Sequence, residues 1–224
     1  MACSCRGRRQ VLEIIETARA SNRRDREFHE TLTDHLATLT GQDILEYHER
    51  FEKVHGALYR RDLWAAAYLI GGGCSDDSFI DFRAGLIAQG RDWYEQAMTS
   101  PDSLAGHPAV AGAGHPLADN PLFYEEVNYA ASCAFDRVSG DEDAFWDALK
   151  ERGPRDRLPQ LGEHFDLGDD QEMRRRLPRL FRSSYRASRD LSSTAWLMPV
   201  RSAVGDHRAG DELYAGYTHP PPFG

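Results

Sequence analysis

Nothing in this chain is long and apolar enough to cross a bilayer. The longest strongly apolar run, Leu63 to Ile70, falls far short of the ~20 residues a spanning helix needs. The opening stretch, MACSCRGRRQVLEIIETAR, carries basic residues, but Glu13 and Glu16 interrupt any apolar core that a secretory leader would require. A cytoplasmic location is therefore expected. Cysteine is also sparse. Cys3, Cys5, Cys74 and Cys133 are too few for a small disulfide-held secreted scaffold. The Cys3–Cys5 pair has no second pair to complete a metal site, and it sits in an expected flexible N-terminus over residues 1–9.

Other absences are as useful. Outside the weak run AWLMPV at 195–200, no stretch alternates apolar and polar residues with a period of two, so a sheet is excluded from the expected fold. There is no internal repeat. There is no Gly-x-Ser-x-Gly, no His-Glu-x-x-His, and only one helical Glu-x-x-His, at Glu52 and His55. Carboxylate-bridged bundles use that spacing twice with two further glutamates, so no metal ligand set is assigned, and the cofactor stays unknown. The net charge of −9 disfavours binding nucleic acid over the whole surface.

What is present is helical periodicity. Val11, Leu12, Ile15 and Ala18 mark one helix, and Phe28, Leu32, Leu36 and Leu39 a second. Ile44, Tyr47, Phe51, Val54 and Leu58 mark a third, with Asp43 as its expected N-cap. LWAAAYLI, with Asp62 as its cap, is apolar on every side, so a central buried helix is expected over about 62–70. A helix through Phe79, Phe82, Leu86 and Ile87 follows. The reading is an all-α, single helical domain over 10–190. A loop rich in Ala, Gly and Pro spans 103–121, and an extended or disordered tail spans 191–224. Pro178 is expected to kink or split the last helix.

Between the central helix and its successor lies GGGCSDDSF, residues 71–79. It is no phosphate cradle, because the preceding element is a helix, no lysine follows, and Asp76 and Asp77 would repel an anion. The glycines stop one helix, Ser75 caps the next, and both aspartates suit its first turn. That account leaves Asp81 and Arg83 unexplained. Asp77 and Asp81 share a face four residues apart, whereas Arg83 falls on an apolar face and needs a carboxylate partner such as Asp76 or Glu126.

The run DLWAAAYLIGGGCSDDSFIDFRAGLIAQGRDWYEQAMTSPDSLAG, with a later Pro-Arg-Leu at 178–180, resembles an uncharacterised bacterial family, a domain of unknown function. The resemblance covers roughly residues 10–185. Such a family usually has Trp where this chain has Gly85, and the missing indole implies open space on that helix. The resemblance implies a helical fold and no reaction.

Three functional readings remain. The leading one is a helical domain that binds a polar ligand or protein partner in a cleft beside the 71–83 corner, lined by Trp64, Tyr68, Cys74, Asp76 and Arg83. The second is an enzyme acting on a small molecule or peptide, with Asp77 or Asp81 as acid/base and the 103–121 loop as a lid. The third is an accessory to nucleic acid through the seven arginines of 174–189, although a solvated basic face paired with the acidic 141–172 segment is the favoured account of them.

Overall fold

The computed structural model describes residues 2–112, 122–141, 143–153 and 159–184. Helix α1 (Ala2–Ser21) leads into α2 (Phe28–Leu36), α3 (Gly41–Ala57), α4 (Arg61–Gly71), α5 (Asp76–Ala88) and α6 (Arg91–Thr99). A 3-10 turn (Pro101–Gly106) and the short α7 (Pro108–Ala111) follow. A second 3-10 turn (Glu125–Tyr129) runs directly into α8 (Ala130–Ser139), and α9 (Ala144–Glu151) and α10 (Asp170–Arg176) come after it. The helical stretch at 178–184 is α11. No strand occurs among the described residues, so the chain is all-α. Among them, no helix is long and apolar enough to cross a membrane. The weak strand run at 195–200, the 191–224 tail and the 113–121 part of the expected loop lie outside the described residues.

The apolar stripes read from the sequence are the core. Val11, Leu12, Ile15 and Ala18 of α1 are fully buried, as are Leu32, Leu36, Ile44 and Leu58. These side chains join α1, α2, α3 and α8 into one bundle. Helix α4 is buried along Leu63, Ala65–Ala67, Leu69 and Ile70, while Trp64 and Tyr68 stay half-buried. Helix α5 shares the centre with it. From Phe82 to Ala88 every residue of α5 is buried, because α1, α3, α4, α6 and the Glu125–Tyr129 turn all pack on it.

Local chemistry sets the boundaries, and two expected caps are corrected. The helical backbone of α1 begins at Ala2, inside the stretch expected to be a flexible end. Arg9 and Glu13 stand one turn apart there, at 3.8 Å. The cap of α3 is Thr40 rather than Asp43. The Thr40 hydroxyl accepts from the Asp43 amide at 3.2 Å and donates to the Asp43 carboxylate at 2.6 Å, so Asp43 is the other half of the cap. The cap residue of α4 is Arg60; Asp62 instead accepts from the Leu63 amide and pairs with Arg60. The first part of the 103–121 loop is helical, in the Pro101–Gly106 turn and α7.

The Pro101–Gly106 turn does a job over long range. The Asp102 carboxylate is buried and accepts from the amides of Arg179 (2.9 Å) and Leu180 (3.0 Å). Pro178 splits the last helix as expected, and α11 starts there with its first free amides capped by a residue 77 positions earlier. The Pro-Asp-Ser-Leu-Ala and Pro-Arg-Leu motifs are thus two halves of one contact.

Candidate functional site

The 71–79 corner is built as the sequence suggests. Gly72 ends α4 in the left-handed region at φ 67°, and the Gly73 amide donates to the Tyr68 carbonyl at 2.9 Å. The Ser75 hydroxyl accepts from the Ser78 amide at 3.2 Å and opens α5, with Asp76 and Asp77 in its first turn.

Most of the expected lining is spent on packing. The Trp64 ring stacks on Phe79 at 4.8 Å, and its indole N–H donates to the Cys74 carbonyl at 3.1 Å. Arg61 lies over the same indole at 5.8 Å while donating to the Phe165 carbonyl. Arg83 is 1% exposed. Its guanidinium lies 5.0 Å from the Phe79 ring and 5.2 Å from the Tyr59 ring. It also donates to the Phe79 and His55 carbonyls, at 3.3 and 3.4 Å. Arg83 is therefore a buried base beneath the corner, out of reach of a ligand at the surface. Tyr68 stands half-buried on α4, one turn after Trp64. Burial, then the charges of Asp76 and Asp81, push the half-buried Cys74 thiol up to about 12. A thiol held protonated in this way is a poor nucleophile.

The carboxylates behave differently. Asp77 is exposed and Asp81, one turn on, is half-buried. The Glu125–Tyr129 turn faces α5 and brings Glu125, Glu126 and Asn128 to Asp81. The Asn128 amide donates to the Asp81 carboxylate at 3.3 Å. Burial pushes the Asp81 carboxyl up to about 7, with like charge from Glu125, Asp77 and Glu126 adding to it and Arg83 offsetting part. Glu125 and Asn128 escape sequence reasoning. They lie more than forty positions from Asp81, and no local spacing pairs them with it.

Gly85 decides how that turn reaches Asp81. A Cβ at Gly85 would stand 2.0 Å from the Leu122 carbonyl oxygen and 3.1 Å from the Tyr124 nitrogen. The space expected from the missing indole is filled by backbone, not by a pocket. Leu122 takes φ 73° to make the approach, and the Tyr124 amide then donates to the Asp81 carbonyl at 3.1 Å. The acidic face is held together by this docking.

His48 and His55 on α3 are both buried. The His55 Nε2 lies 3.0 Å from the Ile80 carbonyl, and its ring stacks on Phe51. Burial, with Arg83 nearby, keeps His55 neutral, its pKa well below the usual imidazole range. Among the described residues, no group of three or more His, Cys, Asp or Glu side chains is placed to hold a metal ion. The arginines of α10 find partners within the protein. Arg175 and Arg176 both donate to Glu172, and Arg176 reaches Glu163 at 2.7 Å while lying 4.2 Å over the Phe165 ring. Arg174 lies over Phe181.

Residues 12–137 match the model of a family described as "Protein of unknown function (DUF4240)". The match covers more than half of the chain, including α5 and the Glu125–Tyr129 turn; the basic α10 lies beyond it. No curated protein and no solved structure matches the chain.

Proposed function

We propose that this chain, which belongs to the DUF4240 family, is a helical binding domain that takes a cationic group against Asp81. The cation would be an ammonium or guanidinium, on a small polar ligand or on a side chain of a protein partner. One observation carries the reading. The Asp81 carboxyl is half-buried among Asp77, Glu125 and Glu126 and is pushed up to about 7. Packing like charges around a half-buried carboxyl opposes folding, and stability alone gives no reason for it. A cation docked there relieves the repulsion and displaces the Asp81 proton.

The test uses agmatine, which carries both cationic groups. Binding to the full chain is followed by NMR, reading the Asp81 carboxyl carbon through a pH titration. Saturating agmatine is expected to lower the Asp81 midpoint, and its affinity should weaken as pH falls below about 7. Asp81→Asn and Glu126→Gln should each weaken binding, whereas Asp147→Asn, at an exposed position of α9, should not. Equal affinity in all four proteins would sink the reading.

A second reading draws on the same carboxyl. A group titrating near 7 is matched to general acid/base work, so Asp81, rather than the exposed Asp77, would be the acid/base of an enzyme on a small molecule or peptide. Cells carrying Asp81→Asn would then accumulate a substrate visible by untargeted metabolite profiling. Profiles identical to wild type would count against it.

A further inference from the structure

Two charged faces of this fold lack partners of the opposite sign. The first is on α11. The carboxylates that reach the arginine-rich segment are taken by α10: Glu172 holds Arg175 and Arg176, and Glu163 also holds Arg176. Arg179 and Arg182 follow on α11, both exposed. Among the described residues neither forms an ion pair with a carboxylate. Acidic side chains outnumber lysines and arginines 36 to 27 in the chain, so a shortage of carboxylates is not the reason.

The second face is the acidic one. Asp77, Glu125 and Glu126 are exposed, and Asp81 is half-buried beside them. Asp81 takes the neutral Asn128 amide at 3.3 Å, and among the described residues none of these four carboxylates forms an ion pair with a lysine or arginine. The two faces also match in pitch. Arg179 and Arg182 are three apart on one helix and Asp77 and Asp81 four apart on another, so each pair stands about 5–6 Å apart at Cβ. Two helices laid side by side in that register set a guanidinium against each carboxylate, the pairing for which arginine's planar fork is suited.

We infer that two copies of this chain associate by seating Arg179 and Arg182 of one copy against Asp77 and Asp81 of the other, with Glu125 and Glu126 at the rim. This assignment rests on the cation reading of the Asp81 face and names the source of the cation. The net charge of −9 on each copy opposes their approach. At about 0.15 M salt the Debye length of about 8 Å screens that long-range repulsion while contacts inside the junction persist; at about 1 M it falls to about 3 Å and the contacts weaken too.

The test is sedimentation equilibrium of the full chain at concentrations up to about 1 mM, where a small polar interface assembles. In about 0.15 M salt the mean mass should rise with concentration above the 25.3 kDa of one copy, and about 1 M salt should return it to that value. Saturating agmatine should do the same. A protein with Arg179→Gln and Arg182→Gln, and another with Asp77→Asn and Asp81→Asn, should each be monomeric alone. An equal mixture of the two should form pairs, because each keeps the face that the other lost. Arg175→Gln, at a guanidinium already held by Glu172, should associate like wild type. The inference is overturned if the chain stays monomeric, if either double variant still associates, or if the mixture does not. Agmatine binding by a chain that stays monomeric overturns this inference alone and leaves the cation reading standing; absence of both sinks the two together. Arginine-dependent binding of a single-stranded oligonucleotide by a monomeric chain would overturn it in favour of nucleic acid.

Discussion

Replacing Gly85 by alanine tests how the acidic face is assembled. The new Cβ would lie 2.0 Å from the Leu122 carbonyl oxygen, where real contacts stay beyond 3.0 Å, so the 122–124 backbone must withdraw by at least the 1.0 Å difference. Overpacking of this kind costs about 1–3 kcal/mol. Loss of the Tyr124 amide to Asp81 carbonyl bond adds about 1 kcal/mol. Against this, alanine is favoured over glycine inside a helix by about 1 kcal/mol. The net expectation is a loss of about 1–3 kcal/mol, read as a lower urea midpoint with an unchanged slope. The same shift carries Glu125, Glu126 and Asn128 away from α5, so the Asp81 midpoint should fall from about 7 toward the ordinary 3.8. Both readouts are needed, since a stability loss alone would follow from any core strain. A Gly85→Ala protein as stable as wild type, with Asp81 still titrating near 7, would refute the reasoning.

Asp81→Asn should change stability in a pH-dependent way. The folded carboxyl binds its proton up to about 7 and the unfolded one only up to about 3.8, so wild type carries a penalty that grows as pH rises between those values. The variant should therefore gain on wild type from pH 4 to 7 and then hold level, measured by urea midpoints at several pH values. His55 runs the other way. Its folded pKa lies well below the 6.5 of the unfolded imidazole, so the unfolded state gains a proton first and stability falls as pH drops below 6.5. His55→Gln should flatten that decline by up to about 1.4 kcal/mol per pH unit. Asp102→Ala should cost about 1–2 kcal/mol by uncapping α11, with hydrogen exchange at Leu180 rising more than at Leu32 of α2. Asp102→Asn should restore part of the protection.

The helical architecture was legible because α1, α2 and α3 bury the stripes their spacing marks, and because Gly72 and Ser75 carry stop and start signals that act within one turn. The burial of Arg83 was legible for the same reason, as its face also carries Ile80 and Ile87. Its surroundings were not: rings and carbonyls from α3, α5 and Tyr59 gather around the guanidinium, and ring geometry leaves no periodic trace. The candidate site was half legible. Asp77 and Asp81 share a face by spacing alone, but their environment depends on a turn whose approach is set by what Gly85 lacks. An absent Cβ reads in sequence as room, whereas here it is the seat of another backbone. Asp102 was likewise silent, since its two amides come from a segment that sequence proximity cannot reach.

The capping of α11 by Asp102 also bears on where the folding unit ends. The family match stops at residue 137, yet a fragment cut there would keep the Asp102 carboxylate and discard both amides that hydrogen-bond it. It would likewise leave the Arg61 guanidinium and amide without the carbonyls of Phe165 and Leu161. The segment after the matched region therefore completes hydrogen bonds that the matched region begins, and the shortest chain expected to fold by itself reaches at least residue 180.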